Sequence, residues 1–136
     1  MMIQKYEEKL VMGLFRKAFP DFPKGRLVAS ESPDFMLKLN RRQTIGIELT
    51  RLDLDHQDIF TSIELGISAK NQKLSIYQKK LLKAAWLIIY TEDIGHTTHS
   101  NFRKKLENFS VMSGYDRQFL FDLFTQTVYT IGAEEK

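Results

Sequence analysis

The stretch AAWLIIYTE, residues 84–92, constrains the fold most, because its apolar side chains occupy both of the faces that an extended segment presents. A strand of that kind must be covered on both sides, which calls for a sheet with helices packed above and below it. The run is far too short to cross a bilayer, for which about 20 apolar residues are needed. What precedes it supplies its partners. DFMLKL (34–39) and TIGIELT (44–50) alternate with the period of two expected of paired strands, and residues 40–43 provide the turn between them. From about Ser62 to Lys83 the period returns to 3.6. Strand, helix and buried strand in that order form a βαβ unit, whose two strands run parallel.

The remaining segments fill in around this unit. Ile3, Tyr6, Leu10, Val11, Leu14, Phe15 and Ala18 recur at helical spacing, and Pro20 and Pro23 end that first helix. LVAS (27–30) reads as a short strand, residues 101–108 as a polar helix, and TVYTIG (127–132) as a closing strand. QFLFDLF (118–124) fits a strand and also a helix. The expected class is α/β, with a central mixed sheet built from an antiparallel meander and a βαβ crossover and flanked by helices. With 136 residues, 43% of them hydrophobic, the chain suits one domain over residues 1–136.

Composition excludes several chemistries. There are no cysteines, which rules out disulfide scaffolds and thiolate zinc sites. MMIQKYEEKLVMGLFRKAF (1–19) mixes charge throughout and lacks the apolar core of a leader, so a cytoplasmic protein without membrane contact is expected. No phosphate-binding loop, dinucleotide fingerprint or serine or cysteine nucleophile motif is present. The net charge is +3, unevenly spread: Lys70, Lys73, Lys79, Lys80 and Lys83 stand together without an intervening acid, and Arg103, Lys104 and Lys105 form a second basic cluster. Such stretches suit a polyanion, and equally a solvated lysine-rich surface.

Two carboxylates sit where the hairpin should bring them together. If Leu39 pairs with Gln43, the same register sets Asp34 across from Glu48, both projecting from one face. Like charges opposed on a sheet destabilise it unless a cation lies between them; the alternative is a polar hairpin face turned to water. Gly46 should leave open space beside the acids. On a helical projection Glu7 falls within the apolar arc of the first helix and Glu8 outside it, so Glu7 either serves a site or complements the helix N-terminus. Lys70 falls within the apolar stripe Ile63, Ile67, Leu74, Tyr77 and Leu81, where it needs an acidic partner or room to reach water.

In this order of elements, with PDF (33–35) opening one strand, IGIELT (45–50) on the next, a lysine-bearing helix and then WLIIY (86–90), the chain resembles the PD-(D/E)XK nuclease superfamily. That resemblance, which covers about residues 3–92, implies a restriction-endonuclease-like core. It implies Asp34 and Glu48 as ligands of Mg²⁺ or Mn²⁺, Glu7 as an accessory acid, and hydrolysis of phosphodiester bonds in nucleic acid, DNA more than RNA. Thr50 departs from the motif, because it stands where the motif has lysine. A hydroxyl can hold water but cannot place a positive charge on the attacking oxygen, so Lys70 is expected to have taken over that role, with Lys73 as second choice. Lys70, Lys73, Lys79, Lys80, Arg103, Lys104 and Lys105 would then face the phosphate backbone. A core of this size leaves little room for a target-recognition domain, so specificity would come from a homodimer or a partner. The departure at Thr50 also fits a catalytically inactive relative that binds nucleic acid or protein. Two further polar stretches read as connections: DLDHQD (53–58), whose last acids should cap the following helix, and HTTH (96–99).

Overall fold

The computed structural model describes residues 2–52, 58–74, 76, 82–95, 101–110 and 113–132. Helix α1 (Met2–Ala18) leads into strands β1 (Arg26–Ala29), β2 (Phe35–Lys38) and β3 (Thr44–Arg51). Then follow α2 (Ile59–Asn71), β4 (Ala84–Thr91), α3 (Phe102–Glu107), β5 (Arg117–Asp122) and β6 (Thr127–Ile131). All six strands join one sheet in chain order. β1, β2 and β3 form an antiparallel meander; β3–β4 and β4–β5 pair in parallel; β5–β6 closes the sheet antiparallel.

This is the expected α/β architecture with a mixed sheet. It carries a second βαβ unit, through α3, that the sequence pattern left undefined. Residues 118–122 of QFLFDLF resolve as strand, with Phe119 and Phe121 facing one side and Leu120 the other, while Leu123 and Phe124 enter the turn to β6. The hairpin register is also as expected: the Leu39 N–H donates to the Gln43 carbonyl at 2.9 Å, and Phe35 lies opposite Ile47. Asn40 holds the turn by accepting from the backbone N–H groups of Arg42 and Gln43.

The strand alternation sorts the core into two layers. Ile45, Ile47 and Leu49 of β3, Trp86, Ile88 and Tyr90 of β4, and Phe119 and Phe121 of β5 pack against Val11, Met12, Phe15 and Phe19. Phe15 is fully buried, with ring contacts to Phe19, Phe22, Phe119 and Phe121 at 5.2–6.2 Å. On the opposite face Ala85, Leu87, Ile89 and Leu120 meet Ile59, Ile63 and Ile67 of α2 and Phe102 and Leu106 of α3. Two crossovers that advance in the same direction with right-handed connections must lie on the same face, which leaves the other face to α1. β4 is therefore covered on both sides, as AAWLIIYTE requires. None of the described helices is long and apolar enough to cross a membrane.

Candidate active site

The hairpin register, continued one step past the Phe35–Ile47 pair, sets Asp34 opposite Glu48 at the carboxyl-terminal half of β3. Both side chains are buried, Asp34 to 9% exposure and Glu48 to 1%. Asp34 is fixed by its own strand pair: its Oδ2 accepts the Leu49 N–H at 2.8 Å, and its backbone carbonyl accepts the Ser30 N–H at 2.8 Å. Gly46, on the same face, contributes closeness rather than space. A Cβ there would lie 2.6 Å from Leu82 Cδ1 and 2.9 Å from Pro33 Cγ, so the volume expected to be open is filled by those two side chains.

Lys70 from the last turn of α2 and Lys73 from the turn that follows it close over Glu48. The Lys70 ammonium donates to Glu48 Oε2 at 3.0 Å, and Lys73 donates to the same oxygen at 3.3 Å. The helix end that carries them is tied to the loop before β5: the Tyr115 hydroxyl donates to the Lys70 carbonyl at 3.0 Å, and the Gly114 N–H donates to Asn71 Oδ1 at 3.0 Å. Lys70 thus has the acidic partner that its place in an apolar stripe demanded. Burial works to lower the Lys73 pKa, but the Glu48 carboxylate outweighs it and holds the ammonium above its ordinary range. Thr50 follows Glu48 by two residues on the same strand, half-buried.

The helix acid beside the pair is Glu8, not Glu7. Glu8 is buried to 5% exposure, and its Oε1 lies 3.1 Å from Lys5 Nζ. That ammonium also donates to the Ser30 carbonyl at 2.9 Å and stands 3.8 Å from Asp34 Oδ1. Glu7 instead accepts the Tyr90 hydroxyl at 2.7 Å and pairs with Arg51 at 3.3 Å. Burial and the Glu7 charge push the Tyr90 hydroxyl pKa well up. The apolar arc that contains Glu7 includes Leu10, which is 62% exposed, so it is not the buried face of α1. The buried stripe is Val11, Met12, Phe15 and Phe19, and Glu8 precedes Met12 by four. Met12 and Phe19 were the signal that could have found Glu8 and, through it, Lys5.

The electrostatics of Asp34 set the chemistry. Burial, together with the Glu48 and Glu8 carboxylates, raises its pKa from 3.8 to about 6, against the Leu49 hydrogen bond and Lys5, which act to lower it. Two buried oxygen-donor carboxylates close enough to interact electrostatically, one of them short of compensating positive charge, suit a hard divalent cation. Mg²⁺ in particular is held by one or two carboxylates and takes its other ligands from water and phosphate. Among the described residues no three acids or histidines gather to hold a metal by themselves. Asp34 and Glu48 fit that two-carboxylate mode, with Lys70 and Lys73 at its edge.

The other basic residues divide. Lys104 and Lys105 are exposed on α3, whereas Arg103 turns towards β6, donating to the Val128 carbonyl at 3.0 Å and lying 4.6 Å over the Tyr129 ring. Lys79 and Lys80 lie outside the described residues, as do Asp53, Asp55, His56, His96 and His99. Asp58 caps α2 as expected, accepting the Thr61 N–H at 3.3 Å. Comparison of the chain with protein-family models, with curated proteins and with solved structures returns no match.

Proposed function

We propose that this chain is a metal-dependent nuclease that hydrolyses phosphodiester bonds in nucleic acid, DNA more than RNA, on a restriction-endonuclease-like core. The observation that carries the reading is the buried Asp34–Glu48 pair with the Lys70 and Lys73 ammonium groups on Glu48 Oε2. Asp34 and Glu48 would hold Mg²⁺ or Mn²⁺, which supplies a nucleophilic water near neutral pH and relieves charge on the phosphate. Lys70 and Lys73 bring the positive charge that Thr50 cannot, close enough to steer an incoming phosphate and to stabilise the charge that develops on it. Burial of Asp34 and Glu48 limits the screening of these carboxylates by bulk water.

One observation favours the inactive alternative: the same two ammonium groups already compensate Glu48 and would compete with a cation for it. Cleavage decides between the two. Plasmid and single-stranded DNA incubated with Mg²⁺ or Mn²⁺ should be cut by the wild type, and not by Asp34→Ala or Glu48→Ala. Lys70→Ala should lose turnover by a factor on the order of 10². Cleavage that persists in both carboxylate variants would sink the nuclease reading; a wild type that binds DNA without cutting it would support the inactive one.

A further inference from the structure

An open groove of about 500 Å³ lies on the α2–α3 face, lined by Phe60, Asn101, Lys104, Lys105, Asn108 and Phe109 among others. Its composition is specific. The half-buried rings of Phe60 and Phe109 stand 5.2 Å apart at 53°, with Phe102 5.9 Å behind Phe60. Lys104 and Lys105 form the rim, and among the described residues neither makes an ion pair and no carboxylate lines the groove. Asn101 precedes α3, and among the described residues its side chain makes no capping hydrogen bond.

We infer that this groove is a subsite for single-stranded nucleic acid, taking an unstacked base against Phe60 and Phe109 and its phosphates on Lys104 and Lys105. An aromatic floor can meet a base only by its face, and in a duplex that face is hidden in the stack. The amides of Asn101 and Asn108 offer both donors and acceptors to a base edge, and the lysines supply the charge that every phosphate attracts. The ligand class rests on the nuclease reading, and the position agrees with it. Phe60 and Lys70 are ten residues apart on α2, about 15 Å along its axis. A stacked strand spans that distance in about four nucleotides. The groove and the Lys70 end of α2 therefore lie within the span of one short single strand.

The test is fluorescence anisotropy with a labelled single-stranded oligodeoxynucleotide and its duplex, in EDTA so that nothing is cut. The wild type should bind the single strand more tightly than the duplex. The Lys104→Gln, Lys105→Gln double variant should bind it at least about tenfold more weakly, with a salt dependence reduced by about 1.4 in logarithmic slope. Phe109→Leu, which keeps an apolar side chain but removes the ring, should weaken binding roughly fivefold or more without changing that slope. Asn108→Ala on the exposed rim gives a second reading should Phe109→Leu fold poorly. The inference is overturned if the lysine variant binds with wild-type affinity and slope, if duplex binds as well as single strand, or if the wild type does not bind at low salt. Loss of binding in the groove variants, beside a wild type that never cleaves with Mg²⁺ or Mn²⁺, would keep the subsite and remove the nuclease. Cleavage untouched by the groove variants would do the reverse.

Discussion

Asp34 illustrates how a residue suited to chemistry weakens the fold that holds it. Its pKa is about 6 in the folded protein against 3.8 when unperturbed, so between those values the native state binds more protons than the unfolded chain. Stability from this group is therefore full below about pH 4 and is lost as pH rises through about 6, amounting to about 3 kcal/mol at most. Asp34→Asn, which can still accept from Leu49, should match the wild type at low pH and exceed it near neutrality by up to that amount. Urea denaturation of both proteins across the range, in EDTA, measures the gap; a gap independent of pH would mean that Asp34 is not the titrating group. Glu48 poses the opposite case, a nearly inaccessible carboxylate whose Oε2 is shared by two ammonium groups. Lys70→Ala and Lys73→Ala should each cost about 1 kcal/mol, and the double variant about 3–5 kcal/mol, because only then is a buried charge left without its cations. Strict additivity in that cycle would show that the two lysines do not share the load. The acids of the hairpin and Lys70 were legible from strand alternation and from a cation inside an apolar stripe. The Lys5–Glu8 pair was not, since a charged residue on a buried stripe is invisible until the stripe itself is phased correctly.

Strand pairing followed from periodicity wherever the period was unambiguous, whereas α2 spans Ile59–Asn71 rather than the stretch from about Ser62 to Lys83 that the 3.6 period suggests. TIGIELT against DFMLKL fixed the register, and the doubly apolar AAWLIIY fixed β4 between two layers. The α1 phase was lost because Leu10 is an exposed apolar residue, which sequence cannot tell from core. Gly46 misled for a related reason: a glycine beside acids suggests a space, but here it admits Pro33 and Leu82 against the strand. Gly46→Ala should consequently cost about 1–3 kcal/mol, as overpacking does. Leu82 can rotate away, whereas the Pro33 ring has to shift, carrying the neighbouring Asp34 with it. The variant should accordingly lose part of any metal-induced stabilisation as well as melting earlier, both visible in one thermal scan. Normal melting and a normal metal response would mean that the strand yields without disturbing the hairpin mouth.

At the scale of the molecule, α1 packs on one face of the sheet, and the lysines of α2 and the α3 groove occupy the other. The sequence marked this second face as basic, but not that Arg103 would turn to Tyr129 while Lys104 and Lys105 stayed outward, since neighbouring residues on a helix point about 100° apart and only packing decides which is engaged. Binding to DNA should weaken steeply as salt rises if this face meets phosphates, and a flat dependence would leave the lysines as solvated surface. The nuclease reading turns on whether Asp34 and Glu48 bind a divalent cation. The most direct measurement is the melting temperature of the wild type and of the Asp34→Ala, Glu48→Ala double variant, with and without Mn²⁺. A ligand that binds only the folded state stabilises it in proportion to the logarithm of its excess over the dissociation constant. Mn²⁺ should therefore raise the melting temperature of the wild type and leave the double variant unmoved; equal shifts in the two proteins, or no shift in the wild type, would contradict a metal site between these carboxylates.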